Sequence, residues 1–216
     1  MVTLLEQLVD DLDSDLANRR RELIDIRLMV SASTGARLDL LARACHVMAY
    51  AHWEGFVKRA LKGYLEYLLT RGLNVGDLQL GLQGLALRDS IRAAVEPDRT
   101  VDRISDLLQL LDARAAEPFK ITPQEVVKTG NMTAATLKAL LGCAGLAYLP
   151  AYETRENYID TVLCGRRHRI AHGDWQPITA ADARAVASDV LDLCTEINLQ
   201  IQEAALYKSF MRIKSP

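Results

Sequence analysis

The sequence has few aromatic residues and no strong excess of charge of either sign. Only 6% of its 216 residues are Phe, Trp or Tyr, whereas 50% are hydrophobic, with Leu and Ala abundant. This balance favours helices over sheets, which use aromatic and β-branched residues more. The formal net charge of −2 differs from the basic excess of proteins that grip long stretches of duplex nucleic acid. We therefore expect any nucleic-acid contact to be local.

Long apolar runs, a leader pattern and closely paired cysteines are also missing. No stretch of about 18 apolar residues occurs, and the N-terminus lacks a basic segment followed by an apolar one. The cysteines lie far apart with no C-x-x-C pair, at Cys45, Cys143, Cys164 and Cys194. Buried free thiols are their ordinary interpretation. We expect a cytoplasmic protein without a membrane contact.

Helical periodicity is clear towards both ends of the chain. Apolar residues recur every three or four positions over 3 to about 29, and two adjacent apolar stripes run through about 36–70. The double stripe predicts a central helix with a broad buried face. Further helices are predicted over about 154–171, where Gly173 is well placed as the terminator, and over about 180–207.

The middle of the chain is punctuated by glycine and proline. Short helices fit between the breaks of residues 71–150, at roughly 86–95, 100–115 and 133–142. We predict one all-α domain over 1–216, a helical bundle of two long helical hairpins with a mainly helical insertion at 71–150. The insertion would serve as a cap, a partner surface or a small satellite core.

The stretch best suited to chemistry is Cys164-Gly-Arg-Arg-His-Arg-Ile-Ala-His-Gly173, here named the basic segment. It holds three Arg and two His at a predicted helix end. Arginine is a fixed bidentate donor for phosphate, and histidine moves protons near neutral pH. RNA supplies its own nucleophile, the 2′-hydroxyl, so a proton-transfer group and a cation suffice for its cleavage.

Part of the basic segment resembles a known motif. Arg167-His-Arg-Ile-Ala-His172-Gly173 is similar to the R-x4–6-H motif of the HEPN superfamily, whose fuller form is often R-N-x-I-A-H-G. The upstream Tyr50-Ala-His-Trp-Glu-Gly-Phe56 resembles a segment of one bacterial branch, where a Trp-Glu pair lies on an earlier helix. The resemblance covers roughly residues 36–70 and 132–205. It implies a helical bundle that forms a homodimer, with two motifs facing one cleft.

The resemblance also implies an activity. Many HEPN proteins are metal-independent endoribonucleases that need no cofactor, often toxins of toxin–antitoxin pairs or defence effectors. Carried over, Arg167 would hold the scissile phosphate and His172 would transfer protons, leaving a 2′,3′-cyclic phosphate. His168 stands where Asn is common and would still donate a hydrogen bond, and Arg166 and Arg169 would support the site. The expected partners are RNA, a second copy of the chain and an antitoxin protein.

Other interpretations of the basic segment stay open. The run Arg166–Arg169 would complement the dipole at the C-terminus of its helix, and a non-catalytic helical module would use it to bind RNA, nucleotide or protein. His168 and His172 share a helix face, but no third ligand or H-E-x-x-H pattern accompanies them, so we expect no metal site. Arg167 and His172 lie about 140° apart around a regular helix. They converge only at a frayed helix end, through the reach of Arg, or across a dimer.

A carboxylate on the predicted central helix has two possible partners. Glu54 sits on a mostly apolar surface, where an unpaired carboxylate would be costly. It either bonds to Arg167 or Arg169 and orients the site, or pairs with Lys58 one turn on. The sequence favours neither interpretation.

Three other side chains are expected to be structural. Trp175 follows the basic segment in a loop, where it either stacks on a nucleobase or closes the bundle, and we expect closure. His46 and His52 lie in or beside the apolar stripes of the predicted central helix. We expect them to be core or interface histidines rather than catalysts.

Overall fold

The structure of the protein is a computed structural model that describes residues 3–94 and 101–212. In chain order its helices are α1 (Leu4–Ser31), α2 (Gly35–Leu69), α3 (Leu80–Ala86), α4 (Arg88–Ala94), α5 (Val101–Arg114), α6 (Pro123–Val126), α7 (Ala134–Cys143), α8 (Pro150–Glu153), α9 (Arg166–Ala171) and α10 (Ala180–Leu206). A 3₁₀ turn covers Val75–Asp77, and a π-helical stretch, the π segment, covers Tyr158–Gly165. Within these ranges there is no strand, only two isolated β-bridges. The predicted all-α class is confirmed.

Helices α1, α2 and α10 form the body of the bundle by packing against one another. The first helix starts at a capping box, in which the Thr3 hydroxyl accepts a hydrogen bond from the Glu6 N–H and the Glu6 carboxylate accepts one from the Thr3 N–H. Gly35, with φ of 58°, opens α2 directly after a short turn. All three helices agree with their predicted ranges to within a few residues.

Helix α2 is the centre of the fold, as its double stripe predicts. It contacts α1, α6, α9, α10 and the π segment. Its largest buried side chains, Trp53, Phe56 and Tyr64, are fully shielded from solvent. Burial of such rings contributes roughly 1.5–3 kcal/mol each, so the central helix anchors its neighbours. No helix of the described ranges is both long and apolar enough to cross a membrane.

The insertion is mainly helical and contributes to the main hydrophobic core. Leu82, Met132 and Leu137 are fully buried in the cluster that also holds the α2 side chains. The indole N–H of Trp53 donates to the Met132 carbonyl at 3.1 Å. This hydrogen bond joins the insertion to the central helix.

The short helices of the insertion follow the predicted ones only in part. The helix expected at 133–142 is found as α7, and the one expected at 100–115 agrees with α5. The helix expected at 86–95 is found as α4, and α3, which ends at Ala86 just before it, was not predicted. Residues 95–100, like 1–2 and 213–216, lie outside the described residues.

The helix predicted over 154–171 is not a continuous α-helix. Its first half is the π segment and its second half is α9, and both pack against α2. The ring Nε2 of His46, on α2, donates to the Val162 carbonyl of the π segment at 2.9 Å. Gly173 ends α9 with φ of 88°, and the Asp174 N–H bonds to the Arg169 carbonyl at 3.0 Å, as in a Schellman turn.

Candidate functional site

The basic segment lies at the surface, and its side chains differ in their exposure to solvent. Its N-terminal arginines, Arg166 and Arg167, are half-buried, whereas His168, Arg169 and His172 are exposed. The half-buried arginines contact other elements, and the exposed side chains face solvent. The segment thus combines anchored cations with accessible imidazoles.

Arg167 is anchored by two contacts from outside its own helix. Its guanidinium carbon lies 3.9 Å from the centre of the Tyr50 ring, and its Nη2 donates to the side-chain oxygen of Asn131 at 2.8 Å. A cation against an aromatic face is attracted by about 0.5–2 kcal/mol, depending on its exposure. The Nε–H of Arg167 is buried without a hydrogen-bond partner. The guanidinium is therefore held in one orientation and retains an unsatisfied donor.

Tyr50 provides a neutral aromatic support for this arginine. The Tyr50 hydroxyl accepts a hydrogen bond from the Met132 N–H at 2.9 Å. Burial, together with the nearby Glu54 carboxylate, raises the pKa of Tyr50 to about 12, against the opposing effect of the Met132 and Arg167 hydrogen bonds. The phenol stays protonated at neutral pH, so it cannot act as a general base there.

Glu54 pairs with Lys58, one of the two partners considered for it. The Lys58 ammonium lies 2.7 Å from Glu54 Oε1 and also donates to the Thr129 carbonyl at 3.0 Å. Asn131, which binds Arg167, follows in the same loop. Glu54 therefore supports the arginine indirectly, because it holds the lysine that fixes this loop.

The side chains of the two histidines of the basic segment contact each other, but Arg167 does not contact either of them. The rings of His168 and His172 have centroids 4.2 Å apart and are tilted by 54°. His168 lies on α9, and His172, one turn further on, is the C-cap residue of this helix. Among the described residues, Arg167 contacts Tyr50 and Asn131 rather than His172. The two predicted catalytic side chains thus do not contact each other in one copy of the chain.

The other two arginines differ in their surroundings. Arg166 forms an ion pair with Asp182 at 3.7 Å and links α9 to the start of α10. Hydrogen bonds from Thr179 lower the pKa of Asp182, and Arg166 adds to this effect. The side chain of Arg169 is exposed and has no hydrogen bond or ion pair within the part of the chain that the structure describes. Arg166 is therefore held in an ion pair within the fold, whereas the side chain of Arg169 is available to a ligand.

The expectation that Trp175 closes the bundle is wrong. Its side chain is 64% exposed, and the guanidinium carbon of Arg43 lies 4.1 Å from the ring centre. The loop after Gly173 runs over the surface, and Ile178 is the loop residue that fills the core. Trp175 is consequently free on much of its surface.

His46 and His52 occupy the structural positions expected of them. His46 is fully buried, and burial lowers its pKa, with Arg166 acting in the same direction. His52 faces α1, where its Nε2 lies 3.3 Å from a Glu22 oxygen, and Arg19 donates to its backbone carbonyl at 3.1 Å. Over residues 3–94 and 101–212 no three His, Cys, Asp or Glu side chains are grouped as metal ligands.

Two residues that contact Arg167 were not singled out from the sequence. Tyr50 belongs to the segment that resembles the HEPN branch, yet nothing local signals that its ring would face an arginine. Asn131 is 36 positions from Arg167 and sits in an ordinary polar turn. A contact over that separation leaves no periodic signal in a single sequence.

Residues 8–210 of the chain match the MAE_28990-like HEPN family. The protein belongs to the HEPN superfamily. No curated protein and no solved structure gives a significant match to the chain. The resemblance noted in two short segments is thereby confirmed and extends through the insertion. Membership associates this HEPN protein with nuclease, other RNA-related or nucleotide-binding functions.

Proposed function

We propose that this HEPN protein is a metal-independent endoribonuclease. The observation that supports this most strongly is the Arg167 guanidinium, held between the Tyr50 ring and Asn131 at a surface that also exposes His172. A pre-oriented guanidinium recognises phosphate well because little entropy is lost when phosphate binds. A cleavage role in a toxin or defence system of the cytoplasm, controlled by an antitoxin protein, is part of the proposal.

The reaction needs only proton transfer and charge stabilisation. The 2′-hydroxyl of RNA loses its proton and attacks the adjacent phosphorus, and the bond from phosphorus to the 5′-oxygen breaks. That oxygen takes up a proton, which leaves a 2′,3′-cyclic phosphate and a 5′-hydroxyl end. His172 exchanges these protons, with His168 beside it, and Arg167 stabilises the charge that develops on the phosphorane oxygens. Acid–base assistance of this kind contributes about 10²–10⁴-fold.

A second copy of the chain completes the proposed site. Arg167 and His172 do not contact each other in one copy, and the spacing of five positions separates them by about 140° around α9. In a symmetric pair, two basic segments facing one cleft bring an arginine and a histidine from different copies to the same phosphate. The active form is accordingly a homodimer.

The test is cleavage of a single-stranded RNA by the purified protein in excess EDTA. We expect cleavage to cyclic phosphate ends, and a loss of about 100-fold or more in Arg167→Ala and in His172→Ala. Arg21→Ala removes an exposed arginine of α1 and should cleave as the wild type does. Circular dichroism and light scattering establish that each variant keeps its fold and its oligomeric state.

The proposal is refuted if the wild type never cleaves or if both variants still cleave. The separation of Arg167 from His172 in one copy favours a second candidate, a non-catalytic module that uses Arg167 to bind RNA phosphate. That module would bind RNA without cleaving it and would lose affinity in Arg167→Ala but not in His172→Ala.

A further inference from the structure

Trp175 stands out among the aromatic side chains because it is large, exposed and close to the basic segment. It follows Gly173 and Asp174 in the loop after α9, with 64% of its surface accessible. The other tryptophan, Trp53, is fully buried. An indole so exposed contributes little to the core, and most of its surface is accessible to a ligand.

Arg43 supports one face of this indole. Its guanidinium carbon lies 4.1 Å from the ring centre, close enough for a cation–π contact. Arg43 precedes Tyr50 by two helical turns on α2, so the two residues lie on the same side of that helix. The contact of Tyr50 with Arg167 and the contact of Arg43 with Trp175 therefore lie about 10 Å apart along the axis of α2. One strand of nucleic acid can therefore reach both pairs.

The chemistry of the pair fits a nucleobase. A flat indole with one face on a guanidinium offers its remaining surface for stacking, and the guanidinium edge can meet a phosphate. A ligand with negative charge as well as an aromatic ring is favoured by the exposed basic side chains on and directly after α9, which are His168, Arg169 and His172. Unpaired RNA has both.

We propose that Trp175 and Arg43 form a stacking subsite for an unpaired nucleobase next to the scissile phosphate. The inference rests on the proposed ribonuclease function and extends it by naming Trp175, supported by Arg43, as the residue that selects unpaired bases. Stacking requires no hydrogen bonds to base edges, so the subsite discriminates unpaired from paired bases rather than one sequence from another.

The two tryptophans make binding directly observable. In the 216-residue chain, a 2′-O-methyl single-stranded oligonucleotide, which lacks the attacking hydroxyl, should quench the emission of exposed Trp175. The emission of buried Trp53 should stay constant, as measured in Trp175→Phe. The same oligonucleotide annealed to its complement should quench much less, because its bases are already stacked and paired.

Affinity is measured separately by the anisotropy of a labelled oligonucleotide. Trp175→Leu should weaken binding of the single strand by about 5- to 150-fold, the ratio equivalent to about 1–3 kcal/mol of stacking. Trp175→Phe should restore part of it. Tyr207→Leu is the control, because Tyr207 is 73% exposed at the end of α10 and has no place in the subsite. In cleavage assays Trp175→Leu should raise KM far more than it lowers kcat.

The outcomes separate this inference from the proposed nuclease. If the wild type cleaves RNA while Trp175→Leu keeps its KM and affinity, the subsite is refuted and the nuclease stands. If the single strand quenches Trp175 and binds through it without any cleavage, the subsite is supported and the nuclease fails. Equal loss of single-strand and duplex binding in Trp175→Leu, or no quenching at low salt, overturns the subsite.

Discussion

Lowering the pH from about 8 to about 5.5 should weaken the fold through His46. This histidine is fully buried on α2, its Nε2–H donates to the Val162 carbonyl, and its Nδ1 has no hydrogen-bond partner. Burial lowers the pKa of His46 and Arg166 lowers it further, whereas the carbonyls of the π segment and Asp182 oppose the shift. A proton on Nδ1 would thus place an uncompensated charge in the core.

The sign of the effect follows from the direction of the shift. An unfolded histidine titrates near pH 6.5, and folded His46 binds its proton only at lower pH. Its stabilising contribution is complete above about pH 6.5 and is lost as the pH falls towards the folded pKa. One such group gives a slope of at most about 1.4 kcal/mol per pH unit.

His52 should add to the same slope. Burial and Arg19 lower its pKa, but Glu22 and Asp15 pull in the opposite direction. The wild type should therefore lose up to about 2.7 kcal/mol of unfolding free energy per pH unit below pH 6.5 or so. His46 should account for about half or more of this loss.

The assay is urea unfolding, followed by tryptophan emission, across this pH range. His46→Gln keeps an amide donor for the Val162 carbonyl and removes the titration, so its slope should fall by up to about 1.4 kcal/mol per pH unit. Leu28→Gln changes an exposed side chain that does not titrate and should keep the wild-type slope. A slope that is the same in His46→Gln and in the wild type would refute the reasoning.

Three further substitutions test packing around the site and in the insertion. Tyr50→Phe removes the acceptor of the buried Met132 N–H and should lower the free energy of unfolding, measured in urea, by about 1–3 kcal/mol. An unfolding free energy equal to that of the wild type would disprove that hydrogen bond. Gly81→Ala would drive a methyl group into the Gly142 carbonyl of α7 and should cost about 1–3 kcal/mol in thermal unfolding. Gly84→Ala, on the same helix with open space around it, should instead stabilise by about 0.5–1 kcal/mol, and equal effects of the two would contradict the packing.

The sequence by itself determined the features that depend on neighbours a few positions apart. The spacing of apolar residues predicts α1, α2 and α10, because a helix buries one face at a period of 3.6 residues. The left-handed turn at Gly173 likewise depends on local backbone freedom. The R-x4-H pattern was readable for the same reason, and the match over 8–210 confirms the family that it indicated.

Tertiary structure alone decided how those side chains are partnered. Arg167 meets Asn131 and Tyr50 across 36 or more positions, and Trp175 meets Arg43 on another helix. Such contacts depend on how helices cross, which no short-range period encodes. Even Glu54, with a local partner available one turn away, was undetermined until the fold brought the carbonyls of the 129–131 loop to the same lysine.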